Sequence, residues 1–207
     1  MFSPTKRVYF GSYVFDVWQD VYEPAEDSFL FAENLTVRKG EKVLDMGTGC
    51  GILGIIAAEK ASLVVAIDIN PTAVRCAKEN AKLNGVVDKM FFIQGDLFTP
   101  LKMEEKFDLI LFNAPYLPTE PFECKTFVEL AWAGGASGRS VIDRFLEGIY
   151  EHINSGGRVL LMQSTLANVN KTMKIFEGKG FKAEIIASLD LPLFETIVLI
   201  EAETSNS

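Results

Sequence analysis

The chain has one histidine and three cysteines among 207 residues. His152 alone, with Cys50, Cys76 and Cys124 in no C-x-x-C spacing, excludes a zinc or haem cluster of the usual ligand sets. The cysteines build no disulfide framework, so a reducing, intracellular and therefore cytoplasmic setting is expected. No apolar run approaches the length of a membrane span, and the N-terminus lacks a secretory-signal pattern. Cations are scarce as well: 20 Lys and Arg stand against 28 Asp and Glu, a formal net charge of −8. That balance argues against strong non-specific binding to nucleic acid, which rests on cations neutralising phosphates. Repeats, low-complexity blocks and linkers are missing, so one domain is expected over residues 1–207.

What is present is apolar: 48% of the residues, 16 of them Phe, which suffices for a full core at this length. Residues 8–10 and 13–17 are β-prone runs on either side of Gly11-Ser12, the signal of a hairpin. Residues 1–23 thus read as a hairpin-like extension to a core over 24–201. Pro24 to Ser28 opens a helix to about Leu35, with Pro24 in its first turn and Glu26 and Asp27 serving as capping acids. Strands are expected at 42–46, 63–67, 90–93 and 107–112. Between them fall a buried helix at 52–58 and a second helix from Asn70-Pro71 to Asn84-Gly85, with Val74, Ala77 and Ala81 on one face. This alternation specifies an α/β fold, a parallel sheet with helices on both faces. Met90-Phe91-Phe92-Ile93 lacks alternation and reads as a strand buried on both sides. A loop-rich stretch follows at 117–139. Then come a helix at 140–153, a strand at 158–163, a helix near 166–178, and strands near 182–187 and 196–201 that pair antiparallel. Residues 202–207 are expected to fray.

Chemistry-bearing residues gather at the strand ends. Gly47-x-Gly49-x-Gly51 lies between a strand and a helix, where glycines let the backbone turn tightly and approach a ligand. It is not the G-x-G-x-x-G of dinucleotide folds, since Ile52 and Leu53 follow at once, and Asp45 replaces the usual apolar strand end. Asp68 ends the next strand, roughly 20 residues on, where an acid accepts hydrogen bonds from ribose hydroxyls; a helix cap ahead of Asn70-Pro71 is the alternative. Asp96 follows Gln94-Gly95 at the end of the third strand, where a turn acid is the plainer account. Asn113-Ala114-Pro115-Tyr116 follows the fourth strand, at the sheet end where open α/β folds keep their active sites.

Asp45-x-Gly47-x-Gly49-x-Gly51, Asp68, Asp96 and Asn113-x-Pro115-Tyr116 together resemble a class I S-adenosylmethionine-dependent methyltransferase. More narrowly, they resemble the HemK family of glutamine methyltransferases, which modify translation release factors. Val21-Tyr22-Glu23-Pro24-Ala25-Glu26-Asp27-Ser28 and Ala131-Trp132-Ala133-Gly134-Gly135, with Gly138-Arg139, point to its eukaryotic/archaeal, Mtq-type branch. The resemblance covers nearly the whole chain from Val21 on, and the short N-terminus fits a branch without the helical N-terminal domain of bacterial relatives. It implies a seven-stranded, Rossmann-like sheet, mostly parallel, with the last strand antiparallel. It implies that Gly47, Thr48, Gly49 and Gly51 wrap the methionine part of the cofactor, with Asp45 ordering the loop. Asp68, with Ile69 beside it, would hold the ribose, Asp96 the adenine amine, Leu97 the ring, and Ser28 the methionine carboxylate, where the branch usually has Thr. The family pattern is Asn-Pro-Pro-Tyr; Ala114 keeps the backbone carbonyl of the first Pro and loses its fixed φ. In this branch a small zinc-binding activator pairs a strand with the sheet edge, expected here near Met90–Ile93.

An amide nitrogen is a poor nucleophile, so such a site must position it. Asn113 Oδ1 and the Ala114 carbonyl can each accept one N–H of a glutamine amide, with Tyr116 against its flat face. The same pair would serve the exocyclic amine of adenine in DNA or RNA, which makes a nucleic-acid amino-methyltransferase the main competitor. The acidic balance disfavours it. A non-catalytic cofactor-fold subunit is the other alternative. His152 has no required part in this chemistry.

Overall fold

β-Branched and aromatic residues on either side of a Gly-Ser turn fold back on one another. β1 (Pro4–Phe10) and β2 (Tyr13–Trp18) pair antiparallel with Phe10 opposite Tyr13, and Gly11 takes the left-handed φ of 55° that the turn requires. The computed structural model describes residues 4–119, 126–192 and 195–205. It divides into two compact units, Met1–Pro100 and Leu101–Ser207.

The first unit continues with α1 (Glu26–Glu33), β3 (Lys42–Met46), α2 (Ile52–Ala57), β4 (Leu63–Asp68), α3 (Pro71–Leu83) and β5 (Met90–Gln94). Its strands lie in the order β5-β4-β3, all parallel, with Asp45 opposite Ala66 and Asp68 opposite Gln94. The parallel register carries the acid-bearing strand ends to one side. Asn70 caps α3 by accepting from Thr72 N–H at 2.9 Å, and Pro71 takes the first helical position.

Three expectations change here. α1 starts one residue after Ala25 and ends at Glu33, so Pro24 lies outside its first turn; Glu26 and Asp27 fall within that turn as expected, but the N-cap is Ala25 and has no side-chain cap bond. The buried face of α3 holds Ala73, Cys76, Ala77, Asn80 and Ala81, with Val74 only half-buried. It is rotated from the apolar pattern because an asparagine belongs to it. β5 is not buried on both sides: it pairs with β4 and with no other described strand, and Phe91 is 60% exposed. Four apolar residues in a row mimic a central strand, but here they form an edge.

The second unit holds β6 (Phe107–Asn113), α4 (Phe127–Leu130), α5 (Ser140–His152), β7 (Ile153–Ser164), α6 (Val169–Gly178), β8 (Phe181–Leu191) and β9 (Glu195–Thr204). Its strands run β6-β7-β9-β8. β6 and β7 are parallel, and β9 opposes both β7 and β8, so the last strand is the reversed one. Phe112 of β6 packs on Phe145 of α5 with ring centroids 4.6 Å apart. β7 begins at Ile153 and takes in the Ser155-Gly156-Gly157 segment expected to turn. α6 starts at Val169, because Thr165–Ala167 form a 3-10 turn and Asn168, at φ 55°, caps the helix through Lys171 N–H. β8 and β9 exceed their predicted lengths, and β9 runs to Thr204, past the start of the expected frayed tail. Residues 120–125, with Cys124, which fall in the stretch expected to be loop-rich, and residues 206–207 of the expected tail lie outside the described residues. Among the described residues, no helix is long and apolar enough to cross a membrane.

Candidate functional site

The first unit assembles a glycine loop between two acids. Gly47, Gly49 and Gly51 have φ of 65°, 56° and 91°, values that L side chains rarely adopt. A Cβ on Gly51 would press on Ile55 Cδ1 and Ala77 Cβ at 3.0 and 3.1 Å, whereas the space beside Gly49 is open within 4 Å. One side of the loop is thus fitted to α2 and α3, and the other leaves backbone for a ligand to approach. Asp45 is buried; its Oδ2 accepts from Thr48 Oγ1 at 2.5 Å and from Gly54 N–H at 3.0 Å. Burial pushes its carboxyl up to about 7 against the pull of these two donors. Asp45 therefore orders the loop and the first turn of α2.

Asp68 reaches both neighbours. Oδ2 accepts from Gly49 N–H at 2.9 Å, and Oδ1 accepts from Asn70 N–H at 2.8 Å. Burial raises its pKa, and the two backbone donors oppose the rise. The helix-cap account of Asp68 is thus half of the observation, and the tie to the glycine loop is the other half. Exposed Ile69 stands between Asp68 and Asn70. The end of β5 is drawn to the same place, since Gly95 N–H donates to Asp68 O at 3.0 Å. The next residues are half-buried Asp96 and Leu97. Leu97 sits at φ 49°, a costly conformation for a leucine. The Asp96 carbonyl accepts from Thr99 N–H and from Thr99 Oγ1 at 2.7 Å, which closes this turn. Ser28 is buried in α1, where its N–H and Oγ donate to Asp27 Oδ1 at 2.6 and 3.1 Å. Tyr22 Oη donates to both oxygens of the same carboxylate. Tyr22 and Ser28 thus meet on the Asp27 carboxylate.

In the second unit Asn113 is the last residue of β6. It is engaged with a partner of its own, and Oδ1 remains a buried acceptor with capacity to spare. Ala114 is buried, and its N–H donates to Met162 O of β7 at 3.4 Å. Pro115 and Tyr116 are half-buried. The chain is then strapped. Leu117 N–H donates to Trp132 O, Gly134 N–H to Leu117 O, and Thr119 N–H to Gly135 O. Gly138 lies so close that a Cβ would stand 2.3 Å from Tyr116 O. The Ala131-Trp132-Ala133-Gly134-Gly135 segment thus fixes the backbone just after Asn113-Ala114-Pro115-Tyr116.

Two residues escaped the sequence reading of roles. Arg139 is buried and ties the strap to its surroundings. Its Nη1 donates to Ala167 O, to Asn168 O at 3.0 Å and to Thr172 Oγ1 at 2.9 Å, while Nη2 bonds Asp143 at 2.7 Å. Thr172 Oγ1 passes the chain on to Gln163 Oε1 of β7 at 2.7 Å. Asn80 is the other, buried on α3; an asparagine in a helix interior, where it is a poor former, was the available signal. His152 is also buried, with Nδ1 2.8 Å from Glu105 O, a packing role.

Known proteins agree with this arrangement. A sequence profile of the ribosomal protein L11 methyltransferase (PrmA) family matches residues 27–115. A Methanocaldococcus jannaschii protein provisionally named a protein N5-glutamine methyltransferase is 44% identical over 88% of this chain and 91% of its own length. Human methyltransferase HEMK2 is 35% identical over 80% of this chain and 81% of its own. Among solved structures, the E. cuniculi Mtq2–Trm112 complex, described as responsible for methylating the termination factor eRF1, superimposes with a TM-score of 0.69. It is 25% identical, over 90% of this chain and all of that one. The strands accordingly make the seven-stranded, mostly parallel sheet of the class I methyltransferases, with the last strand antiparallel, and the chain belongs to the HemK family of protein-glutamine methyltransferases.

Proposed function

We propose that this chain transfers a methyl group from S-adenosylmethionine to the side-chain amide nitrogen of the glutamine in the Gly-Gly-Gln loop of a class I translation release factor. We take its two units to work as one catalytic domain. The observation that carries the reading is Asn113 as the terminal residue of β6, followed by a buried Ala114 and a strapped backbone. It matches the family's acceptor motif except at Ala114, in a chain 44% identical to a relative provisionally named a glutamine methyltransferase.

The residues present fit the cofactor: open backbone at Gly49, a floor of small groups under Gly51, and a two-oxygen acceptor at Asp68. When bound, S-adenosylmethionine supplies an electrophilic methyl group on a sulfonium. Gly47, Thr48, Gly49 and Gly51 would hold its methionine part, with Asp45 keeping the loop in shape. Asp68 would accept from the ribose hydroxyls beside Ile69, Asp96 would accept from the adenine amine beside Leu97, and Ser28 would donate to the carboxylate. Asn113 Oδ1 and Ala114 O would each accept one amide N–H of the substrate, aiming the nitrogen and favouring the positive charge that develops on it. Tyr116 would lie against the planar amide. A proton leaves the nitrogen after transfer, so no general base is required beforehand.

The open edge of β5, with exposed Phe91, fits a small zinc-binding activator subunit that adds a strand there. The reading is tested by offering S-adenosylmethionine labelled in its methyl group with a release factor and with an adenine-containing oligonucleotide in parallel. Label is expected in the protein alone. Label in the oligonucleotide alone would replace this reading with an adenine amino-methyltransferase.

A further inference from the structure

The glycine loop needs ties from outside itself, because three left-handed glycines have no side chains to fix its backbone. Asp68 provides one tie, at Gly49 N–H, and Asp45 and Ile67 O hold Thr48. A further tie comes from α3. Asn80 Nδ2 donates to Cys50 O at 2.8 Å, between Gly49 and Gly51, and also to Asp16 O at 2.9 Å, while its Oδ1 accepts from Asp16 N–H at 2.9 Å. Asn80 is 1% exposed, and all three bonds are made with backbone groups.

Asp16 belongs to β2, so one side chain joins the hairpin to the loop. A second asparagine repeats the grip one turn later: Asn84 Oδ1 accepts from Val14 N–H at 3.0 Å, and Nδ2 donates to Val14 O at 2.7 Å. The spacings explain why this works. Four residues of helix rise about 6 Å, and two residues of strand advance about 6.6 Å. Asparagines at i and i+4 therefore meet alternate residues on the free edge of a strand, as a neighbouring strand would. Cys76, one turn before Asn80, donates its thiol proton to Asp16 O at 3.1 Å. Burial pushes that thiol up to about 12, so the proton stays in place. Asn70 Nδ2 adds a bond to Asp20 O at 2.6 Å.

We infer that Asn80 is a positioning residue for the cofactor loop, and that the β1–β2 hairpin acts on cofactor affinity by holding Asn80. The hairpin clamps the amide from one side, and the second N–H of that amide sets the Cys50 carbonyl and hence the turn of Gly49 and Gly51. The inference rests on the cofactor reading proposed above. Asn84 sits on the same clamp without touching the loop, so it separates positioning from general support of the fold.

Asn80→Ala is expected to weaken S-adenosylmethionine binding about tenfold by titration calorimetry. It should raise the KM for the cofactor while leaving kcat and the KM for the protein substrate within about twofold. Asn84→Ala should lose stability and keep cofactor affinity within about twofold. A second measurement needs no variant: amide hydrogen exchange of the full chain with and without saturating S-adenosylmethionine. Binding is reciprocal with loop order, so the Asp16 amide should slow together with Gly49 and Gly51, by about tenfold and more than Val14 does. If Asp16 slows no more than Val14, or if the two alanine variants change affinity equally, Asn80 is only a structural residue. Failure of the unmodified chain to bind S-adenosylmethionine would instead overturn the cofactor reading itself.

Discussion

Single residues divide here into those that touch a reaction and those that shape it. Asp45 shapes. Both of its bonds converge on one oxygen, Oδ2, so Asp45→Asn can keep them. Burial has raised this group from 3.8 to about 7. The native chain therefore keeps a proton that the unfolded chain releases across that window, and its stability contribution falls as pH rises from about 4 to about 7. In Asp45→Asn, Tm should fall less over that range than in the unmodified chain, with Asp68, raised in the same direction, retaining its share. Asn113 is proposed to touch the substrate: Asn113→Ala should then lower turnover on the order of 10²-fold with cofactor affinity by calorimetry within about threefold. Ala114→Pro removes a donor whose bond to Met162 O is long, 3.4 Å, and restores a fixed φ. Stability from urea unfolding should stay within about 1 kcal/mol, with transfer retained. These residues were legible in the sequence because they stand at the ends of apolar runs. Asn80 was not: inside a helix it looks like a solvated polar position, and only the folded chain brings Asp16 and Cys50 to it.

At the scale of elements, strands and helices of the first unit were legible wherever an apolar run ended in a cap, as at Asn70-Pro71 before α3. The strap was not, because pairing of 117–119 with 132–135 is a contact between segments that share no local pattern. Ala131 to Arg139 could be read only as a family signature. In the fold the segment is a brace, anchored by Arg139 to α5, α6 and the turn before α6, and pressed against Tyr116 by Gly138. Gly138→Ala tests the brace. With φ of 70° and a Cβ position 2.3 Å from Tyr116 O, the substitution must displace the backbone beside the acceptor motif. Turnover should fall on the order of 10-fold, and cofactor titration should show a Kd within about threefold of the unmodified chain.

For the molecule as a whole, the acidic charge and the exposed edge of β5 point to protein partners more than to nucleic acid. The apolar run at 90–93 supported two readings, a strand buried on both faces and a sheet edge open to a partner's strand; the exposed Phe91 and the place of β5 at the edge favour the second. An uncovered Phe91 should make the isolated chain self-associate in light scattering, and Phe91→Asp should render it monodisperse; a monodisperse unmodified chain would contradict the partner. The most direct test of the catalytic claim is tandem mass spectrometry of a release factor after incubation with the enzyme and S-adenosylmethionine. A single added methyl on the side-chain nitrogen of the Gly-Gly-Gln glutamine is the predicted result. A methyl on any other residue, with that glutamine unmodified, would contradict it.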